Sequence, residues 1–115
     1  MKKFVVILND KQRGTLNKKL LFQHVEYLRK LKRSGNLQLC GPFKDDNKAM
    51  MILVCHEKEE TIKMVNNDPF VRDRYYASYE IYEWIEANKD NNWLVDTPQT
   101  MNNINKVRRM YNGNE

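Results

Sequence analysis

His24 stands where a leucine would be expected. It falls within an apolar arc formed by Leu20, Leu21, Val25, Leu28 and Leu31, residues that gather on one side of a helix turning by about 100° per residue. An imidazole on such a stripe must find a hydrogen-bond partner or face a cavity, because a buried polar group without one is costly. Taken alone it reads either as a hydrogen-bonded core histidine or as a catalytic one. Asp68, directly before Pro69, has two readings as well. It is a good helix N-cap with proline at the first helical position, and it is a carboxylate able to meet an imidazole. The two roles are compatible, since one oxygen can cap while the other meets the ring. A carboxylate that accepts the proton of one ring nitrogen fixes the tautomer and leaves the other nitrogen as a general base.

The remaining chemistry-bearing residues point elsewhere. His56 follows an apolar run and precedes acidic residues, which suits an exposed histidine at a helix entry. Cys40 and Cys55 lie in apolar, strand-like runs without CxxC spacing, and are expected to be buried, reduced thiols rather than a disulfide. Tyr75, Tyr76, Tyr79, Tyr82 and Trp84 crowd one stretch. They are expected mostly in core or dimer packing, with one or two lining a pocket. No GxSxG, P-loop, GxGxxG or zinc-type ligand spacing occurs. Acyl-transfer, nucleotide and structural-metal chemistry therefore lack a signature, and neither a cofactor nor a metal is expected.

The elements that must position His24 and Asp68 follow from periodicity. Lys3 to Leu8 is a β-rich run closed by Asn9-Asp10, and Leu16 to Ser34 is an amphipathic helix stopped at Gly35. Phe22 falls off its stripe. Asn36 to Phe43 and Ala49 to Cys55 form a hairpin around Asp45-Asp46-Asn47. Glu57 to Asn67 is a second helix with acids in its first turn, and Asp68 to Arg74 opens a further helical turn. Ala77 to Ile85 is a fourth strand. The order is β-α-β-β-α-β, an α+β, ferredoxin-like fold with a four-stranded antiparallel sheet. Two helices cover one sheet face, yet Phe4 to Leu8 and Met50 to Val54 are apolar at consecutive positions. Both faces should be buried, and a homodimer pairing two sheets around a two-fold axis would bury the second. The domain is expected over residues 1–87. Residues 88–115 form an extension in which Thr97-Pro98 starts a helix, with Met101, Ile104, Val107 and Met110 or Tyr111 as a stripe packed on the dimer.

Bulk properties narrow the classes. The chain of 115 residues is 41% hydrophobic and 30% charged, enough for one modest core in one globular domain. No stretch approaches the roughly 20 apolar residues that span a bilayer, and Phe4 to Leu8 is too short for a signal peptide, so a cytoplasmic location is expected. The net charge of +5 resides largely on the polar side of the first helix, in Lys18, Lys19, Arg29, Lys30, Lys32 and Arg33. No nucleic-acid-binding signature accompanies it, and nucleic acid is not expected as a partner.

The set His24, Tyr27-Leu28, Leu31, Gly35, Leu37, then Gly41-Pro42-Phe43, Asp68-Pro69-Phe70 and Tyr79-Glu80-Ile81 with Trp84 resembles the YCII-related (YciI-like) family. The resemblance runs from about Phe4 to Ile85. It implies a dimeric α+β barrel of ferredoxin-like units, with a His-Asp pair that carries over to His24 and Asp68. It also implies proton transfer or elimination on small aromatic-derived compounds. Leu21 stands where many relatives carry an arginine, Lys48-Ala49-Met50 replaces a common glycine, and the C-terminal segment is longer. The expected site is a cleft between the first helix and the sheet. Gly41, Pro42 and Phe43 form its wall, Phe70 is an apolar contact, and a small molecule is the ligand. The alternative is a non-catalytic small-molecule-binding or accessory homodimer that keeps the His-Asp pair for structure.

Overall fold

The first apolar run becomes β1 (Lys2–Lys11), the central strand of a computed structural model that describes residues 1–104. It is followed by α1 (Lys18–Arg33), β2 (Leu37–Pro42), β3 (Ala49–Cys55), α2 (Lys58–Asn67), α3 (Pro69–Arg72) and β4 (Tyr76–Trp84). The strands form one antiparallel sheet in the order β2-β3-β1-β4, the ferredoxin-like α+β arrangement. Contacts divide the chain into a unit Met1–Ile85 and a second unit that begins at Glu86. Among the described residues no helix is long and apolar enough to cross a membrane.

Alternation builds the core. Phe4, Val6 and Leu8 of β1 and Met51, Leu53 and Cys55 of β3 are buried, and Leu20, Leu31 and Val65 of the helices cluster with Val6, Leu8, Met51 and Leu53. Val5, Ile7, Met50 and Val54 point to the helix-free face and are half-buried, while Tyr82 on the same face is 55% exposed. The first helix begins later than its apolar pattern suggests. Asn17 caps it by accepting a bond from Leu20 N at 2.9 Å, so Leu16 stays in the loop. Its end is set by Gly35 at φ 82°, a left-handed position that glycine takes without strain. Phe22, off the stripe, is 68% exposed.

One expectation is corrected. Cys55 is a buried thiol, but Cys40 is exposed. It sits on β2, the edge strand, where only Leu37 is buried, so its apolar neighbours in sequence do not cover it.

In the second unit, a short 3₁₀ turn (Lys89–Leu94) is capped by Asn88, whose side chain accepts from Asp90 N and Asn91 N. Thr97 starts a helix over 98–104, accepting from Thr100 N at 3.4 Å. Met101 and Ile104 of the expected stripe lie in that helix. Val107, Met110 and Tyr111 fall outside the described residues.

Candidate active site

The Asp68-Pro69 step places the carboxylate. Proline has no N–H to continue α2 and disfavours a helical conformation in the residue before it. Asp68 is accordingly extended (φ −65°, ψ 124°), at once the C-cap of α2 and the N-cap of α3. Its side chain is fully buried. Oδ1 accepts two hydrogen bonds, from Phe70 N at 2.9 Å and from His24 Nδ1 at 2.7 Å. One oxygen therefore does both jobs that the sequence assigned to two. Oδ2 is buried and has no hydrogen-bond partner among the described residues.

His24 is presented by α1, with 14% of its side chain exposed. Its ring stacks on Phe70, centroids 3.6 Å apart and planes 7° from parallel. With Nδ1 committed to Asp68 and the ring pinned by Phe70, both tautomer and orientation are set. Nε2 has no protein partner among the described residues.

His24 and Phe70 line a cavity of about 350 Å³ between α1 and the sheet, at the small end of ligand cavities and sized for a single-ring compound. Leu21, Val25 and Leu28 form its helical wall, and Cys40, Gly41 and Pro42 its β2 wall. This explains why part of the α1 stripe is left uncovered: Leu21 is 42% exposed. Gly41, Pro42 and Phe70 thus lie with His24, but Phe43 does not. It lies one residue past the end of β2, where the chain leaves the strand, and lines a neighbouring groove with Arg13, Lys44, Asp45 and Asp46.

Tyr75 and Tyr76 belong to the aromatic cluster of which one or two residues were expected to line a pocket, and both line this one. Lys11 also lines it, with no sequence signal as a site residue. Lys11 lies past the apolar part of β1, where periodicity stops. Tyr75 and Tyr76 pack edge-on to one another and tilted against Phe70, extending the aromatic wall that holds His24. Cys40 is exposed as a residue, but partial desolvation of its thiol at the cavity wall, with the Asp68 charge adding to it, pushes the thiol up. Burial, then the neighbouring Tyr75 and Asp68, pushes Tyr76 up to about 12. Both groups are neutral at physiological pH.

Tyr27 anchors α1 over α2 by donating to Met64 O at 2.7 Å. Burial, and secondarily Asp68, pushes its phenol up to about 12. In the unfolded chain a tyrosine ionises near about 10. The folded state therefore holds the proton more tightly, and the resulting stability is full below pH ~10 and lost as pH rises through about 12. Tyr27→Phe is expected to be less stable by about 1 kcal/mol at neutral pH, through the lost hydrogen bond. Its urea midpoint should fall less steeply than the native one in that alkaline window. Parallel pH curves for the two proteins would contradict the assignment.

Residues 2–85 match the family model described as the YCII-related domain. Among solved structures, the 5-chloro-2-hydroxyhydroquinone dehydrochlorinase of Burkholderia phenoliruptrix AC1100, in complex with 2,5-dihydroxybenzoquinone, shares the fold with a TM-score of 0.55. The two sequences are 23% identical over 78% of this chain and 99% of that one. No curated protein matches the sequence.

Proposed function

The chain belongs to the YCII-related family, and from that membership and the site geometry we propose that it is a small enzyme catalysing proton transfer or elimination on a single-ring, aromatic-derived compound. The observation that carries this reading is the bond of His24 Nδ1 to Asp68 Oδ1 at 2.7 Å, with the ring on the wall of an apolar cavity. Asp68 keeps the proton on Nδ1, and Nε2 is the base. It takes a proton from a substrate carbon or hydroxyl, and the electron pair left behind forms a new π bond. In an elimination, chloride then departs with its own bonding pair. Gly41 and Pro42 bound the ring edge, and Phe70, Tyr75 and Tyr76 exclude water.

Support for the substrate class comes from the dehydrochlorinase of like fold, whose named substrate and bound compound are both single-ring and oxygenated. The test is chloride release from 5-chloro-2-hydroxyhydroquinone, together with deuterium uptake into substrate carbon in heavy water, for the native protein and His24→Ala. A His24→Ala protein that matches the native rate ends this reading. The accessory reading draws on one observation: Asp68 Oδ1 also caps α3, so the pair has a structural role whether or not it turns anything over. It predicts binding of the same compound without chloride release or exchange.

We also infer that the protein is a homodimer paired through the helix-free sheet face. Val5, Ile7, Met50 and Val54 are only half-buried there in the single chain, and Tyr82 is exposed. Sedimentation at micromolar concentration is expected to give a dimer or larger species, and a clean monomer would contradict the inference.

A further inference from the structure

We propose that Lys11 holds the charge of the bound compound, so that the cavity beside His24 takes a small flat oxyanion, a carboxylate or a phenolate, in preference to a neutral ring. This deepens the reading of that cavity as the ligand site and rests on it.

Charge is the first observation. Lys11 and His24 are the basic side chains on the cavity wall, and among the described residues no carboxylate lines it. Asp68 lies behind His24 with Oδ1 bonded to the ring. Lys11 also borders the adjoining groove, where Asp45 and Asp46 lie with Arg13 and Lys44. Lys11 itself has no ion-pair partner among the described residues; its Nζ stands 5.8 Å from the centre of the Tyr76 ring. A partly buried lysine at the edge of an apolar wall, with no ion pair formed among the described residues, is a place where an anion gains.

Backbone geometry is the second. Leu8 lines the same cavity, and strict alternation along β1 would send Lys11 to the opposite face from Leu8. Between them Asp10 adopts φ 58°, a left-handed conformation that aspartate tolerates better than most residues. It is held by Ser78 Oγ donating to Asp10 Oδ2 at 2.6 Å and by Gln12 Nε2 donating to Asp10 O at 2.9 Å. Lys11 N then donates to Asn47 O at 3.2 Å. The left-handed residue brings Lys11 round to the side of His24, and the fold maintains a strained residue to keep it there.

The test is binding of benzoate and of benzamide, uncharged but nearly the same shape, to the native protein, Lys11→Met and Lys11→Arg. Calorimetry gives the affinities, and shifts of the His24 and Phe70 resonances give the location. The native protein is expected to prefer benzoate. Lys11→Met should weaken benzoate about tenfold and leave benzamide unchanged, while Lys11→Arg restores most of the loss. Equal affinity for the two probes, no binding of benzoate, binding that leaves His24 and Phe70 unshifted, or unchanged affinity in a folded Lys11→Met each overturns the assignment. Failure of the enzymatic reading shows separately, as a His24→Ala protein that turns over like the native one.

Discussion

Asp68→Ala is expected to lose about 2–4 kcal/mol of stability, because it strips two donors, Phe70 N and His24 Nδ1, of their shared buried acceptor, whereas Asp68→Asn keeps the fold and loses the chemistry. The carboxylate is fully buried, and its Oδ1 receives both Phe70 N and His24 Nδ1. Alanine deletes both acceptors at once. It leaves the first turn of α3 uncapped, itself worth about 1 kcal/mol, and leaves an imidazole without its partner against Phe70. Against a total of about 5–15 kcal/mol for a domain, that is a large fraction. Asparagine still offers an oxygen to Phe70 N and to the ring, so α3 stays capped. It carries no charge, and its amide competes for the ring orientation, so proton transfer is expected to fall by about 10²–10⁴-fold. Urea unfolding of the two variants, with tyrosine near-ultraviolet circular dichroism as a check on the aromatic wall, separates them. An alanine variant as stable as the native protein would show that the buried carboxylate is not what organises α3.

The sequence made His24 and Asp68 legible because each is a polar residue at a position whose neighbours demand something else: one on an apolar stripe, the other before a proline. Strand and helix order followed from periodicity alone, and β3 (Ala49–Cys55) was bounded as observed because Asp45-Asp46-Asn47 and His56 punctuate it. The residues around the dyad were harder. β1 runs on through Asn9, Asp10 and Lys11 because they pair with β4, Asn9 opposite Ser78 and Lys11 opposite Tyr76. That pairing is non-local, and no local pattern announces it. Phe43 was assigned to the wall as one piece with Gly41 and Pro42, yet β2 ends at Pro42 and Phe43 follows the chain into the neighbouring groove. The stacking of Phe70 on His24 depends on where α3 sits over α1, a matter of tertiary packing. Apolar neighbours suggested a buried Cys40, but an edge strand is covered on one side only, and the cavity takes the place of the missing cover.

His24→Ala is expected to have two effects that can be measured apart. The first is kinetic: with the proposed base removed from the cavity wall, turnover should fall by at least about 10²-fold. The second is on stability and has a diagnostic sign. Removing the ring strips Asp68 Oδ1 of the donor His24 Nδ1 while the carboxylate stays buried, with Oδ2 already lacking a partner among the described residues. The single variant should therefore lose about 3 kcal/mol or more, well beyond what trimming a partly exposed side chain would cost. Adding Asp68→Asn to it removes the stranded charge while keeping an oxygen for Phe70 N, so the double variant should be more stable than His24→Ala alone. Two independent substitutions would instead add. A double variant that is simply worse by the sum would mean that the cap bond to Phe70 N, and not the imidazole, holds the carboxylate in place. His24 would then be a residue near Asp68 rather than its partner, and the base would have to be sought elsewhere on the cavity wall.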